Sequence, residues 1–406
     1  MSSDNDKSKR PANTAFKQQR LKAWQPILTP KTVLPTFFII GILFAPIGGV
    51  LFYVSESVSE ISIDYTKCES AGEAFSSIPS DHFTYSFPSA SRLQYMVPQY
   101  KKANVTIDDS NRLPGAKNDA VSSATRCTIS MEIPVDMKPP VYLYYRLDGF
   151  YQNHRKYVKS FDAAQLKGTA RTYSELYNGG CSDLAGPGGD SQQVYYPCGL
   201  IANSIFNDTI SLSLVKSNDT PNAANPAETL TFNDRGIAWP SDKKKYGPSS
   251  YQDYTNVLPP PNWASRYANG VYTKETFPNL AEDEHFQVWM RTAGLPNFRK
   301  LYGRSDNTML KRGNYTLEID MHFPSIFFGG QKAIVLSTVS FLGGKNPFLG
   351  IAYICVAVVC VILGCVFTLR HLYRPRKLGD HTYLSWNQQG GPAGPESPRS
   401  PGASAQ

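Results

Sequence analysis

Histidines, cysteines and runs of charge are the places where this 406-residue chain could do chemistry. The six histidines stand at 82, 154, 285, 322, 371 and 381, with no HExxH and no pair at metal-ligand spacing. The sequence also has no CxxC, no GxSxG and no glycine-rich phosphate loop. Glu282-Asp283-Glu284-His285 brings acid and base types together, but such a run is far more often a solvated acidic turn, here ahead of a strand. Lys243-Lys244-Lys245 reads in the same way as a solvated loop rather than a phosphate site. Cys355, Cys360 and Cys365 are five residues apart, about 140° on a helix, so they do not share a ligand face. Nothing in these patterns supports an enzyme, and no cofactor or metal is expected.

The elements that position these residues are set by charge and hydropathy. Two stretches of 24 residues, between Lys31 and Glu56 and between Lys345 and Arg370, carry no charge at all. A helix of that length is about 36 Å long, enough to cross a bilayer core of about 30 Å. The first run is too long for a signal-peptide core and begins too far into the chain. The net charge of +8 sits in the two ends, because 29 of the 41 basic and 29 of the 33 acidic residues lie between them. A neutral middle argues against nucleic acid as a partner. Lys17, Arg20, Lys22 and Lys31 flank the first span, and Arg370, Arg374, Arg376 and Lys377 flank the second. Excess Lys/Arg marks the cytosolic side. The expected order is a cytosolic segment 1–31, a span 32–55, an exoplasmic domain 56–345, a span 346–369 and a cytosolic tail 370–406, disordered from about 387.

Two further features fall in the middle region. Four sequons begin at Asn104, Asn207, Asn218 and Asn314. Four cysteines, Cys68, Cys127, Cys181 and Cys198, allow three pairings. Sequential pairing is preferred; it would close loops of roughly 60 and 17 residues, worth about 4 and about 3 kcal/mol on the loop-entropy model. The region alternates with period two at Cys127 to Ile133, Val141 to Leu147, Ile210 to Leu214, Phe286 to Met290 and Tyr315 to Met321. This pattern predicts a mostly antiparallel, sandwich-like β domain with long loop insertions and short helices. One short helix is expected from Asn297 as cap through Tyr302.

The spans carry small-residue stripes, Gly41, Ala45 and Gly49 on the first and Gly350, Ala357 and Gly364 on the second. Such stripes admit close helix approach. The stripes suit either packing of the spans on each other or docking on a larger membrane partner. Pro46 predicts a bend in the first span. Phe16 to Trp24 mixes aromatic and basic residues and suits a membrane surface.

Long strings spread over about residues 11–373 resemble the cell-division-control-protein-50 family, the accessory subunits of type-IV P-type ATPase lipid flippases. They include Pro11-Ala-Asn-Thr-Ala-Phe-Lys-Gln-Gln-Arg20, Tyr145-Arg-Leu-Asp-Gly-Phe-Tyr-Gln-Asn-His154 and Pro197-Cys-Gly-Leu-Ile-Ala-Asn-Ser-Ile-Phe-Asn-Asp208. Gly236-Ile-Ala-Trp-Pro240, Val288-Trp-Met-Arg-Thr-Ala-Gly-Leu-Pro296 and Gly343-Gly-Lys-Asn-Pro-Phe-Leu-Gly350 match as well. The resemblance implies a non-catalytic subunit paired one to one with an ATPase that moves phospholipid from the exoplasmic to the cytosolic leaflet. It implies a role in export of the ATPase from the endoplasmic reticulum and in its transport cycle, and residence in secretory and endosomal membranes (Golgi, endosome or plasma membrane). Phe16, Trp24 and the two stripes are the expected docking residues. The rival from another class is a free-standing receptor or carbohydrate-binding ectodomain on a double anchor.

Overall fold

The computed structural model describes residues 12–21, 29–88, 95–108, 112–113, 122–188, 192–217, 228–340 and 343–375. Trp24, Asn218 and the tail beyond residue 375 lie outside them. Helix α1 (Pro30–Glu56) is followed by strands β1 (Glu60–Asp64), β2 (Ser76–Ser77), β3 (Phe83–Ser86), β4 (Gln99–Thr106), β5 (Ser123–Ile133) and β6 (Val141–Asp148). A long insertion holds α2 (Ala163–Leu166), α3 (Tyr173–Tyr177), β7 (Val194–Tyr195), α4 (Leu200–Asn203), β8 (Thr209–Ile210), β9 (Ser213–Lys216) and β10 (Thr229–Thr231). It continues through α5 (Pro240–Lys243), β11 (Val257–Leu258) and α6 (Glu284–Met290). Strands β12 (Phe298–Ser305), β13 (Gly313–Met321) and β14 (Gln331–Thr338) precede the last helix, α7 (Phe348–Tyr373). Two compact units result, one holding the long helices and one spanning Tyr53–Pro347.

In the second unit, a five-stranded antiparallel sheet runs β12-β6-β14-β1-β3 and a seven-stranded one β10-β9-β13-β5-β4-β2, with β8 beside β13. Alternation decides which side chains point inward. Ile61, Ile63, Leu143, Tyr145, Leu147, Ile334 and Leu336 from the first sheet share one buried core with Ile129, Met131, Ile133, Leu317 and Ile319 from the second. The first and last strands are neighbours, Glu60 opposite Ser337. The chain's entry and exit are tied further by Ser59 N to Thr338 Oγ1 at 2.9 Å and by the Lys345–Glu56 ion pair at 3.0 Å.

One polar network crosses the core. Lys332, on β14, donates to Asp208 Oδ2 at 2.9 Å and to Phe323 O at 2.9 Å, and both side chains of the ion pair are fully buried. Asp208 also accepts from Tyr65 Oη at 2.8 Å and from the amides of His322 and Phe323 at 2.6 Å. A buried ion pair satisfied at this many points is locked in one arrangement. Cys68 is bonded to Cys127 on β5, and Cys181 to Cys198 inside the insertion.

Three local expectations are corrected. Phe286 to Met290 is a helix, because Asp283 caps it by accepting from Phe286 N at 3.0 Å and Phe286 and Trp289, three apart, are both buried. The segment from Phe298 is a strand and not a helix, since β12 pairs with β6 from Phe298 opposite Leu147. Asn297 instead accepts from Gly149 N at 3.1 Å. The run Ile210 to Leu214 is split into β8 and β9, where Ser211 Oγ turns back on Ser213 N at 3.1 Å.

In the other unit, α1 and α7 have 27 and 26 residues, long and apolar enough to cross a membrane. Helix α1 continues through Pro35 and Pro46. The two pack through small residues. A Cβ on Gly41 would meet Val361 at 2.6 Å, on Gly48 it would meet Ile354 at 2.8 Å, and on Gly350 it would meet Phe52 N at 2.6 Å. Tilted ring pairs lie beside this seam, Phe44 with Tyr353 at 5.0 Å and Phe37 with Phe367 at 5.8 Å.

Candidate functional site

The strings 236–240 and 288–296 and the pair Gly343-Gly344 converge on one groove of about 1010 Å³ in the β domain. Its floor is the outer face of the five-stranded sheet. Tyr142 and Tyr144 leave β6 on the face opposite the core, and β12 supplies Arg299, Leu301 and Arg304 alongside. The segment 233–240 lies on the edge of β12, with Asn233 and Arg304 exchanging backbone bonds of 2.8 and 2.9 Å. Gly236 takes φ +77 there, a conformation glycine adopts without strain, and its carbonyl accepts from Arg304 Nη1 at 2.9 Å. Pro240 then starts α5 and leaves Trp239 64% exposed at the groove wall.

Helix α6 makes the opposite wall. Trp289 anchors it by donating to Ile201 O at 2.7 Å. At its C-terminal end the Lys300 ammonium donates to Val288 O at 3.2 Å, to Trp289 O at 3.4 Å and to Arg291 O. These are the carbonyls a helix end leaves without partners. Burial, with the Arg291 guanidinium nearby, pushes Lys300 down to about 8.

Each cation here is paired and held. Arg291 bonds Asp242 at 3.1 Å and lies over the Trp239 ring at 5.3 Å. Arg299 bonds Glu60 at 2.7 Å over Tyr144, and Arg304 bonds Asp306 at 2.7 Å over Tyr142. Lys243 bonds Glu284 at 2.6 Å. Burial alone would raise the Glu284 carboxyl, but Lys243 and the amides of Ala238 and Gly236 hold it below the usual value. The acidic run therefore leads into a helix and not a strand: Glu282 is exposed in a turn, Asp283 is the cap and Glu284 is buried in the first turn. Such a wall offers aromatic faces and oriented guanidiniums to a partner while its charges stay neutralised. Among the described residues, no cluster of His, Cys, Asp and Glu could hold a metal.

The sequence-selected residues lie elsewhere. Asn104 is exposed on β4, while Asn207 and Asn314 are half-buried. Phe16 is 77% exposed. The stripes divide. Gly41, Gly350, Ala357 and Gly364 are all taken up in the contact between α1 and α7, so they do not form an outer docking face. Ala45 and Gly49 are exposed, and nothing lies within 4 Å of a Cβ on Gly49. The reason is angular: steps of four residues drift about 40° each, whereas Gly41 and Gly48, seven apart, stay within about 20°. The groove residues Trp239, Arg291, Arg299 and Lys300 had no local signal beyond belonging to, or lying close to, the matching strings.

Comparison with known proteins gives a consistent result. The model of the LEM3 (ligand-effect modulator 3) family / CDC50 family matches residues 51–377. The chain is 38% identical to the phospholipid-transporting ATPase accessory subunit CDC50 of Chaetomium thermophilum, over 97% of this chain and 95% of that protein. It is 39% identical to the phospholipid-transporting ATPase accessory subunit CRF1 of Saccharomyces cerevisiae, over 95% and 91%. With cell cycle control protein 50A of Mus musculus it shares 38% identity, over 91% of each chain.

Proposed function

The chain belongs to the LEM3/CDC50 family, and on that premise we propose that it is the non-catalytic accessory subunit of a phospholipid-translocating P-type ATPase, bound one to one. It supports movement of phospholipid from the exoplasmic to the cytosolic leaflet, with ATP hydrolysis residing in the partner. In this reading α1 and α7 span the membrane, both termini are cytosolic and the β domain is exoplasmic, carrying glycans at Asn104, Asn207, Asn218 and Asn314. Its place is the secretory and endosomal membranes, where it accompanies the ATPase out of the endoplasmic reticulum.

The groove carries the proposal. Three of the strings on which the resemblance rests meet there, and its walls of Trp239, Tyr142, Tyr144 and paired guanidiniums suit a polypeptide better than a reacting small molecule. An exoplasmic segment of the ATPase is the proposed occupant. Ala45 and Gly49, with Phe16 and Trp24, supply the remaining docking positions. A non-catalytic subunit acts by binding one conformation of its partner better than another, and about 1.4 kcal/mol of difference shifts the equilibrium tenfold.

Affinity purification of the tagged chain in mild detergent tests the reading. A stoichiometric P-type ATPase is the expected companion, and Trp239→Ala should deplete it while the chain still accumulates. A well-expressed chain that purifies alone would instead favour the free-standing receptor.

A further inference from the structure

A notch of about 270 Å³ lies between the first turns of α1 and the last turns of α7. Val33, Leu34 and Phe367 give it apolar walls, and Arg370, His371 and Arg374 bring nitrogen donors to it. Arg370 and Arg374 are one turn apart, Arg374 N donating to Arg370 O at 2.9 Å, so both leave the same side of the chain. Across the two helices the one acidic residue is Glu56, at the far end of α1. These cations therefore have no carboxylate partner among the described residues of either helix, in contrast to the groove, where Arg291, Arg299, Arg304 and Lys243 each have one.

Guanidiniums without a carboxylate partner among the described residues, Arg374 lying over the Tyr373 ring at 5.8 Å, stand beside an apolar wall at the end of a membrane-length helix pair and select an anion that carries hydrocarbon with it. We propose that this notch binds the headgroup of an anionic phospholipid. Its phosphate and carboxylate oxygens accept from Arg370 and Arg374, His371 supplies a third donor, and the first acyl carbons cover Val33, Leu34 and Phe367. Inorganic phosphate shares the headgroup chemistry but would leave those walls wet, so the lipid is the favoured source. The site goes beyond the accessory-subunit reading and relies on it only for the helices lying in a bilayer.

The test is native mass spectrometry of the full chain in mild detergent, titrated separately with dioleoylphosphatidylserine, dioleoylphosphatidylcholine and inorganic phosphate. One saturable phosphatidylserine adduct is expected, weakened about fivefold by Arg370→Gln and again by Arg374→Gln. Leu34→Trp, which fills the notch and leaves its charge intact, should abolish the adduct. Lys31→Gln removes one charge outside the notch and should leave binding unchanged. Equal retention of phosphatidylcholine, equal loss in Lys31→Gln, or phosphate binding as strong as that of the lipid would overturn the site. If protease protection placed this end of the helices on the exoplasmic side, or no ATPase co-purified, the adduct would persist, so failure of the wider reading is distinguishable.

Discussion

Two basic regions of this chain treat their charges in opposite ways. In the groove of the β domain, Arg291, Arg299, Arg304 and Lys243 are each bonded to a carboxylate, and Lys300 to the carbonyls that end α6. At the ends of α1 and α7, Arg370, His371 and Arg374 face a notch in helices whose sole acid is Glu56. Paired cations hold shape, and removing a partner changes stability. Unpaired cations hold little, and removing one changes what binds.

The largest effect should come at the most buried pair. Asp208→Ala would leave Lys332 only the Phe323 carbonyl and the Glu69 carboxylate at 3.7 Å, and would free Tyr65 and two amides, at a cost of about 3–5 kcal/mol. Thermal unfolding of the full chain should show it, and an unchanged midpoint would remove the central example of a structural charge. Lys300 gives the next effect, with a sign fixed by linkage. Its ammonium titrates near 8 when folded and near 10.5 when unfolded, so between these values the unfolded chain holds the proton that the folded chain has lost. Raising the pH through that window favours the folded state. Relative to Lys300→Met, the unsubstituted protein should gain about 2 kcal/mol between pH 7.5 and 9.5; a flat difference would mean that the carbonyls, not burial, set the affinity for the proton. Glu60→Gln should cost about 1 kcal/mol, because the Arg299 pair is partly solvated. At the other extreme, Arg370→Gln should change unfolding by no more than about 0.5 kcal/mol. A larger loss there would show that the notch arginines are structural after all.

How much of this was legible depended on the range of the interaction. The alternations over Cys127–Ile133, Val141–Leu147 and Tyr315–Met321 are local and became β5, β6 and β13 with the expected faces inward. The two apolar stretches became the two long helices for the same reason. Where a local pattern met a distant partner, reading by period failed. Phe298 to Tyr302 looked helical, yet its state is decided by β6, which lies some 150 residues earlier. Phe286, Val288 and Met290 alternate, but Asp283 and the buried Trp289 impose the helical repeat. The groove could not be seen at all, since its cations and anions come from β1, α5, α6, β12 and the residues just after them, its rings from β6, and they meet only after the sheet has formed. In the helix pair, small residues were visible in sequence, but which of them faced the neighbour was a matter of angle that spacing by four could not resolve.

The adjacency of β1 and β14 also sets a schedule. The bond from Ser59 to Thr338 joins residues 279 positions apart, so β1 is made long before the strand that completes its sheet. At translation rates of roughly 5–20 residues per second, its exposed edge on that side waits on the order of 15–55 s. During that interval Ile61 and Ile63 lack part of their cover, and β14 arrives only as the second long helix is about to be made. Maturation of the domain is thereby timed to completion of the whole chain, and truncation before Thr338 should yield a product that chaperones retain rather than a smaller folded domain.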